Sequence, residues 1–181
     1  MSTKTQATIE DLYCVTGKAE IVNGELRLLS RTGHLPSRAA FRIAISLDGH
    51  AGRTGIGWAY PDNTGFLVDL PNRKSFSPDA AFYVGPGTGG KFLQGAPVFA
   101  VEVRSEGDYG PAAEREMAVK RRDYFAAGTL VVWDADVLKS ESVRVCRSSD
   151  PDNPTVYRRG EVAEAEPAVP GWTMPVDDLF R

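Results

Sequence analysis

Residues 96–108, APVFAVEVRSEGD, constrain the fold of this chain more than any other stretch. Five of the six residues at positions 96–101 are apolar and the other is a proline, the composition of a strand buried on both faces. Glu102 interrupts that run. An unpaired buried charge costs several kcal/mol or shifts its pKa, so an acid at the tip of an apolar strand has a partner or a task. The next segment, PAAEREMAVKRRDYFAAG, opens with Pro111, carries Ala112, Met117, Ala118 and Phe125 among its apolar positions and ends at Gly128. That pattern predicts a helix. A second apolar run, TLVVWDAD, follows it. Strand, helix, strand in that order calls for a crossover and for parallel pairing of the two strands.

The remainder supplies further strands and one more long helix. AEIVNGELRLLS alternates around Asn23-Gly24, a dipeptide that favours a type I′ turn, so an N-terminal β-hairpin is expected. LPSRAAFRIAISLDG reads as an amphipathic helix with Gly49 at its end and His34 at its N-terminal edge. TGIGWAY, GFLVDL and DAAFYV are three short runs separated by turn residues, expected as strands of one sheet. ESVRVCR and TVYRRG read as an antiparallel pair, and PGWTMPVDDLF as a closing turn and short helix. The expected fold class is α/β (α+β), with a central mixed sheet flanked by helices. Residues 1–18 read as an N-terminal extension and 19–181 as a single domain, since 181 residues suit one sizeable core.

Composition narrows the function classes. With 42% hydrophobic and 25% charged residues the chain is an ordinary globular protein. It has no window of about 18 apolar residues, so no membrane partner is expected, and its polar start points to a cytoplasmic location. Cys14 and Cys146 stand far apart without a zinc-type spacing and read as free thiols. The loop GPGTGGKFLQG precedes a strand, whereas a phosphate-binding loop opens a helix, so no nucleotide cofactor is expected.

The chemistry-bearing pair is Asp79 with Glu102. Asp79 follows Pro78 at the start of DAAFYV, and the two-residue period puts Val98, Ala100 and Glu102 on one face of their strand. Two carboxylates from neighbouring strand ends can hold a hard divalent cation such as magnesium. Glu116, Lys120 and Tyr124 recur at four-residue spacing on the following helix, so Lys120 can point toward the sheet. Structural roles fit the same residues: Asp79 as a turn cap, Glu102 paired with Arg104 or Lys120, Lys120 paired with Glu116. His34 by itself suits a surface or hydrogen-bonded histidine.

The segments GFLVDLPNRKSFSPDAAFYV, PVFAVEVRSEGD, KRRDYFAAGTLVVWDAD and GWTMPVDDLF resemble, in order, the hallmarks of the Uma family of bacterial restriction endonuclease-like proteins, in the PD-(D/E)XK nuclease superfamily. The resemblance runs from about Glu20 to the C-terminus. It implies a restriction-endonuclease-like core and a magnesium-dependent endonuclease, with manganese as a possible substitute and DNA as substrate. Asp79 matches the acid of a Pro-Asp motif, and Glu102 and Ser105 match a Glu-Val-x-Ser segment. Glu25 corresponds to an early acid, and Lys120 to a helix lysine four residues before a tyrosine, here Tyr124. The implied metal ligands are Asp79, Glu102, the carbonyl of Val103 and Glu25, with Lys120 as the catalytic cation and Ser105 and Tyr124 in support; His34, from its place at a helix edge, is a further supporting candidate. The wider superfamily places Lys where this chain has Arg104, which stays protonated and cannot act as a base. Cleavage of both DNA strands needs two sites, so a homodimer is expected. The other reading is a dimeric, catalytically inactive binding module with the same fold.

Overall fold

The computed structural model describes residues 6–181. A short helix α1 (Ile9–Cys14) leads into a hairpin, β1 (Ala19–Val22) and β2 (Glu25–Leu28), and then a 21-residue helix α2 (His34–Thr54). Next come β3 (Trp58–Pro61), β4 (Phe66–Leu67), β5 (Ser75–Phe76), β6 (Ala80–Tyr83), β7 (Leu93–Gln94) and β8 (Phe99–Val103). Helix α3 (Pro111–Ala126) follows, then β9 (Val131–Asp136), β10 (Ser142–Arg147), β11 (Asp150–Arg158), β12 (Val162–Glu164), β13 (Thr173–Pro175) and a terminal 3-10 turn (Val176–Phe180). Among the described residues no helix is long and apolar enough to cross a membrane.

A six-stranded mixed sheet in the order β11-β10-β9-β8-β6-β3 carries the architecture. β8 and β9 are parallel and joined through α3, as strand, helix, strand requires, and the other pairings are antiparallel. The hairpin turn places Asn23 at φ 53° and Gly24 at φ 74°, the two positive values a type I′ turn demands. Both edges of the sheet carry proline: Pro61 in β3, and Pro151 and Pro154 in β11. Proline lacks an amide hydrogen and so blunts an open edge.

The two sheet faces bury different partners. Ala39, Ala40, Ile43, Ala44, Leu47 and Ala51 recur at three- and four-residue spacing along α2, and this stripe packs with Phe82, Phe99, Val101, Val131, Trp133 and Trp172. Phe99 has its ring 5.4 Å from that of Trp133 and 5.6 Å from that of Trp172. On the opposite face Ala81, Ala100, Tyr124 and Val132 meet Phe66, Phe76 and Leu93 of the small strands. The alternation along β8 is therefore real: Phe99, Val101 and Val103 face α2, and Ala100 and Glu102 face α3.

Two expectations need correction. Helix α2 runs past Gly49 and ends at Gly55, whose φ of 70° is the left-handed cap. Ala51 continues the apolar stripe beyond Gly49, and that burial carries the helix through both Gly49 and Gly52. GFLVDL does not share a sheet with β3 and β6. Its β4 pairs with β5 and β7 in a separate three-stranded sheet, because Phe66 is buried with Phe76 and Leu93 over the α3 side of the core.

Helix α3 is docked unlike α2. Its buried residues are Asp123 and Tyr124. The Tyr124 ring stacks on Phe76 at 3.9 Å, Phe125 packs against the same cluster, and charged side chains add further attachments. Phe99→Ala tests the α2 face. Losing a fully buried ring between two tryptophans should cost about 3–5 kcal/mol in chemical denaturation.

Candidate active site

Asp79 and Glu102 lie on neighbouring strands, and the antiparallel register that matches Ala80 with Val101 matches Asp79 with Glu102 one step further. Cross-strand partners share a face, so both acids point toward α3. The same reading extends sideways: Pro61 pairs with Ala80, which puts Asp62 next to Asp79, and Glu102 pairs with Asp134 across the parallel ladder. Four carboxylates, Asp62, Asp79, Glu102 and Asp134, thus cross the sheet at one level.

Each acid in this row meets a cation. The Lys18 ammonium bridges Asp79 Oδ1 at 2.6 Å and Asp62 Oδ1 at 2.7 Å. Asp79 Oδ2 accepts the Val103 amide at 2.7 Å. On Glu102, Oε1 accepts the Tyr124 hydroxyl at 2.7 Å and the Lys120 ammonium at 2.8 Å. Lys120 also reaches Glu20 Oε1 at 3.0 Å. Arg104 turns away from Glu102 and grips Asp134 through two bonds of 2.7 Å, with Glu114 of α3 on its other side.

Glu20 on β1 is an acid of this cluster that the sequence reading passed over. It is 3% exposed and accepts the Ser77 amide at 2.9 Å and Arg73 at 2.5 Å. Arg73 donates in turn to Asp123 at 2.9 Å and lies over the Phe76 ring. A signal was present: Glu20 sits between Ala19, Ile21 and Val22, an acid inside an apolar strand like Glu102. Glu25 lies elsewhere. It opens β2 opposite Val22, is exposed, and does not line the cavity that holds the other acids. The turn at Asn23-Gly24 separates the two acids, and β1, pinned by the bond from the Ile21 amide to Ser75 Oγ, is the strand that enters the interior.

A cavity of about 840 Å³ opens over this cluster, lined by Lys18, Glu20, Asp79, Glu102 and Lys120. Val103 and Ser105 border it, the Ser105 amide donating to Asp108 at 2.7 Å, and exposed His34 stands at its mouth with Arg27 and Arg31. Among the described residues no three Asp, Glu, His or Cys side chains form a ready metal cage.

The charges set one another. Burial pushes the Glu102 carboxyl up; Lys120 opposes this, and Asp79 and Glu20 reinforce it, leaving its pKa above 4.5. Burial would likewise raise Glu20, but Lys120 and Arg73 outweigh it and hold Glu20 below 4.5. Burial works against the Lys120 ammonium, yet Glu102 and Glu20 prevail and keep it firmly protonated. The Tyr124 hydroxyl, buried beside Glu102 and Glu20, is held well above its ordinary value and remains a donor.

Glu20→Gln separates these roles. The ionised Glu20 stabilises the fold above its unfolded value near 4.5, and that contribution is lost as the pH falls below it. Denaturation at neutral pH should show the variant about 3–5 kcal/mol less stable, because a buried ion network loses its hub. The gap between variant and wild type should narrow steadily on acidification below pH 4.5.

No curated protein matches the chain. A crystal structure of a protein described as a "putative nuclease belonging to DUF820", from Anabaena variabilis ATCC 29413, has the same fold. It superposes with a TM-score of 0.73 at 14% identity, over 96% of this chain and 97% of that one. A family model described as "Putative restriction endonuclease" matches residues 9–177, nearly the whole of the nuclease-like fold just described. With that match the chain belongs to the Uma2 family, whose description supports a nuclease function.

Proposed function

We propose that the protein is a metal-dependent endonuclease that hydrolyses phosphodiester bonds of DNA. The observation that carries this reading is the placement of Asp79 and Glu102 side by side on one face of the sheet, with the Lys120 ammonium 2.8 Å from Glu102 at an open cavity.

The donor set suits magnesium or manganese. Magnesium is commonly bound by one or two carboxylates, with waters and substrate phosphate oxygens completing its shell, so an all-protein cage is not required. Ammonium groups already rest on Asp79 and Glu102, which marks the site as one that attracts cations. Asp79 and Glu102 would hold the ion, with the Val103 carbonyl as a third ligand. Once bound, it supplies Lewis-acid polarisation of a phosphate oxygen and a water of lowered pKa.

The protein's own groups do the positioning. The Val103 amide fixes the Asp79 carboxylate, and the Tyr124 hydroxyl fixes Glu102. Glu20 holds Lys120 from behind, so a permanent positive charge faces the cavity. Such a fixed charge orients an attacking water and stabilises the extra negative charge of a pentavalent phosphorane without acting as a base. Arg27 and Arg31 at the mouth supply charge for a phosphate backbone, a contact that gives affinity rather than sequence specificity.

Cleavage of plasmid and single-stranded DNA with magnesium or manganese tests the reading. Asp79→Asn and Glu102→Gln should each lower the rate by about 10²–10⁴-fold, since metal-assisted charge stabilisation is worth several kcal/mol. Glu102→Gln should keep or raise the metal-free melting temperature, because Glu102 is held above its ordinary value by its surroundings and its ionised form opposes folding. A binding module in which Glu102 serves only as a partner of Lys120 gives the opposite: a lower melting temperature, no response to metal and no cleavage.

Two strands call for two sites, so the active species is a homodimer. Light scattering should return twice the 19.6 kDa of one chain. A value of one chain mass at working concentration would contradict this.

A further inference from the structure

We propose that Lys18 is a built-in competitor of the metal ion at Asp79, and that Asp62 is the carboxylate that draws it aside. This rests on the metal-dependent reading above and goes beyond it by assigning a role to two residues outside the ligand set.

The asymmetry between the two lysines carries the inference. On Glu102, Lys120 and the Tyr124 hydroxyl both fall on Oε1, so Lys120 and an ion can share the carboxylate through different oxygens. On Asp79 both oxygens already have a partner. Oδ2 is engaged by the Val103 amide of the adjacent strand, and the Lys18 ammonium stands on Oδ1 at 2.6 Å. An ion on Oδ1 leaves the Val103 amide bond intact. An ammonium within 3 Å of that oxygen and a divalent cation on it would repel strongly in a partly buried site, so one displaces the other.

The displaced lysine has a fixed place to go. Its backbone is pinned, because the Lys18 carbonyl accepts the Leu29 amide at 2.9 Å, and its side chain is 14% exposed. Only the ammonium end can shift. Asp62 already holds that ammonium at 2.7 Å, is 44% exposed, and sits next to Asp79 in the sheet register. Its Oδ1 also accepts the Asn63 amide at 2.7 Å, which steadies the carboxylate. Lys18 can therefore release Asp79 without losing a counter-ion. Held there, it remains close to the ion and lowers the affinity of the site for a cation that arrives without a phosphate.

Calorimetric titration of the full chain with manganese alone tests this without reference to catalysis. Lys18→Met should tighten manganese binding by roughly tenfold or more, since a competing charge is removed. Asp62→Asn should weaken it several-fold, because Lys18 then has Asp79 as its remaining partner. The opposite signs separate the proposal from general damage to the site, and Asp62→Asn, at a half-exposed position, keeps it testable should Lys18→Met fail to fold. Unchanged affinity in both variants, or weaker binding in Lys18→Met, would overturn the role of Lys18 while leaving the metal site standing. Failure of the wild type and both variants to bind manganese at millimolar concentration would remove the metal-dependent reading, and this proposal with it.

Discussion

The row of four carboxylates at one level of the central sheet is the constraint on which the site depends. Asp62, Asp79, Glu102 and Asp134 stand on adjacent strands, where like charges directly opposite one another destabilise pairing. The fold answers with one cation per gap or per acid: Lys18 between Asp62 and Asp79, Lys120 on Glu102, Arg104 on Asp134. Those cations arrive from different parts of the chain. Lys18 comes from the approach to the hairpin, Lys120 from α3, and Arg104 from the residue that follows β8. Neutralising the row is therefore also what assembles the hairpin, the sheet and α3 around one cavity.

The consequence is plainest for α3. Its two buried residues are Asp123 and Tyr124, and it is held by Tyr124 on Phe76, by Phe125 against the same cluster, and by ion pairs to Arg73, Arg104, Glu20 and Glu102. Buried pairs contribute modest net stability, because desolvation offsets most of the Coulombic gain, but breaking one leaves a charge stranded. Arg104 shows the division of labour. A lysine here would be a mobile point charge, whereas the guanidinium fork binds Asp134 through two parallel bonds and Glu114 beside it. Position 104 thereby joins β8, β9 and α3, and the cavity-facing charge comes from the helix.

Much of this was legible in the sequence where one local signal sufficed. The apolar run ending in Glu102, the proline-started helix and the second apolar run specify the parallel β8-α3-β9 unit, and the two-residue period places Glu102 on the α3 face. Asn23-Gly24 specifies its turn. Two departures share one cause: Gly49 reads as a helix end and GFLVDL as part of the main sheet, and in both tertiary burial overrides the local cue. The site was harder. Asp79, Glu102, Lys120 and Tyr124 converge as their spacing suggested, but the neighbours that set their charges, Lys18, Asp62 and Arg73, are ordinary loop residues until the sheet register aligns them. Glu25 and Glu20 differ only by which side of a two-residue turn enters the interior, and that is fixed by a hydrogen bond to Ser75, distant in sequence.

Crystals of the wild-type protein grown with manganese, with anomalous diffraction recorded, test the central claim most directly. The account predicts a single anomalous peak bound to Asp79 Oδ1 and to Glu102, with the Lys18 ammonium moved onto Asp62 and Lys120 still beside Glu102. Crystals at saturating manganese with no peak between these two acids, and with Lys18 still seated on Asp79, would contradict it.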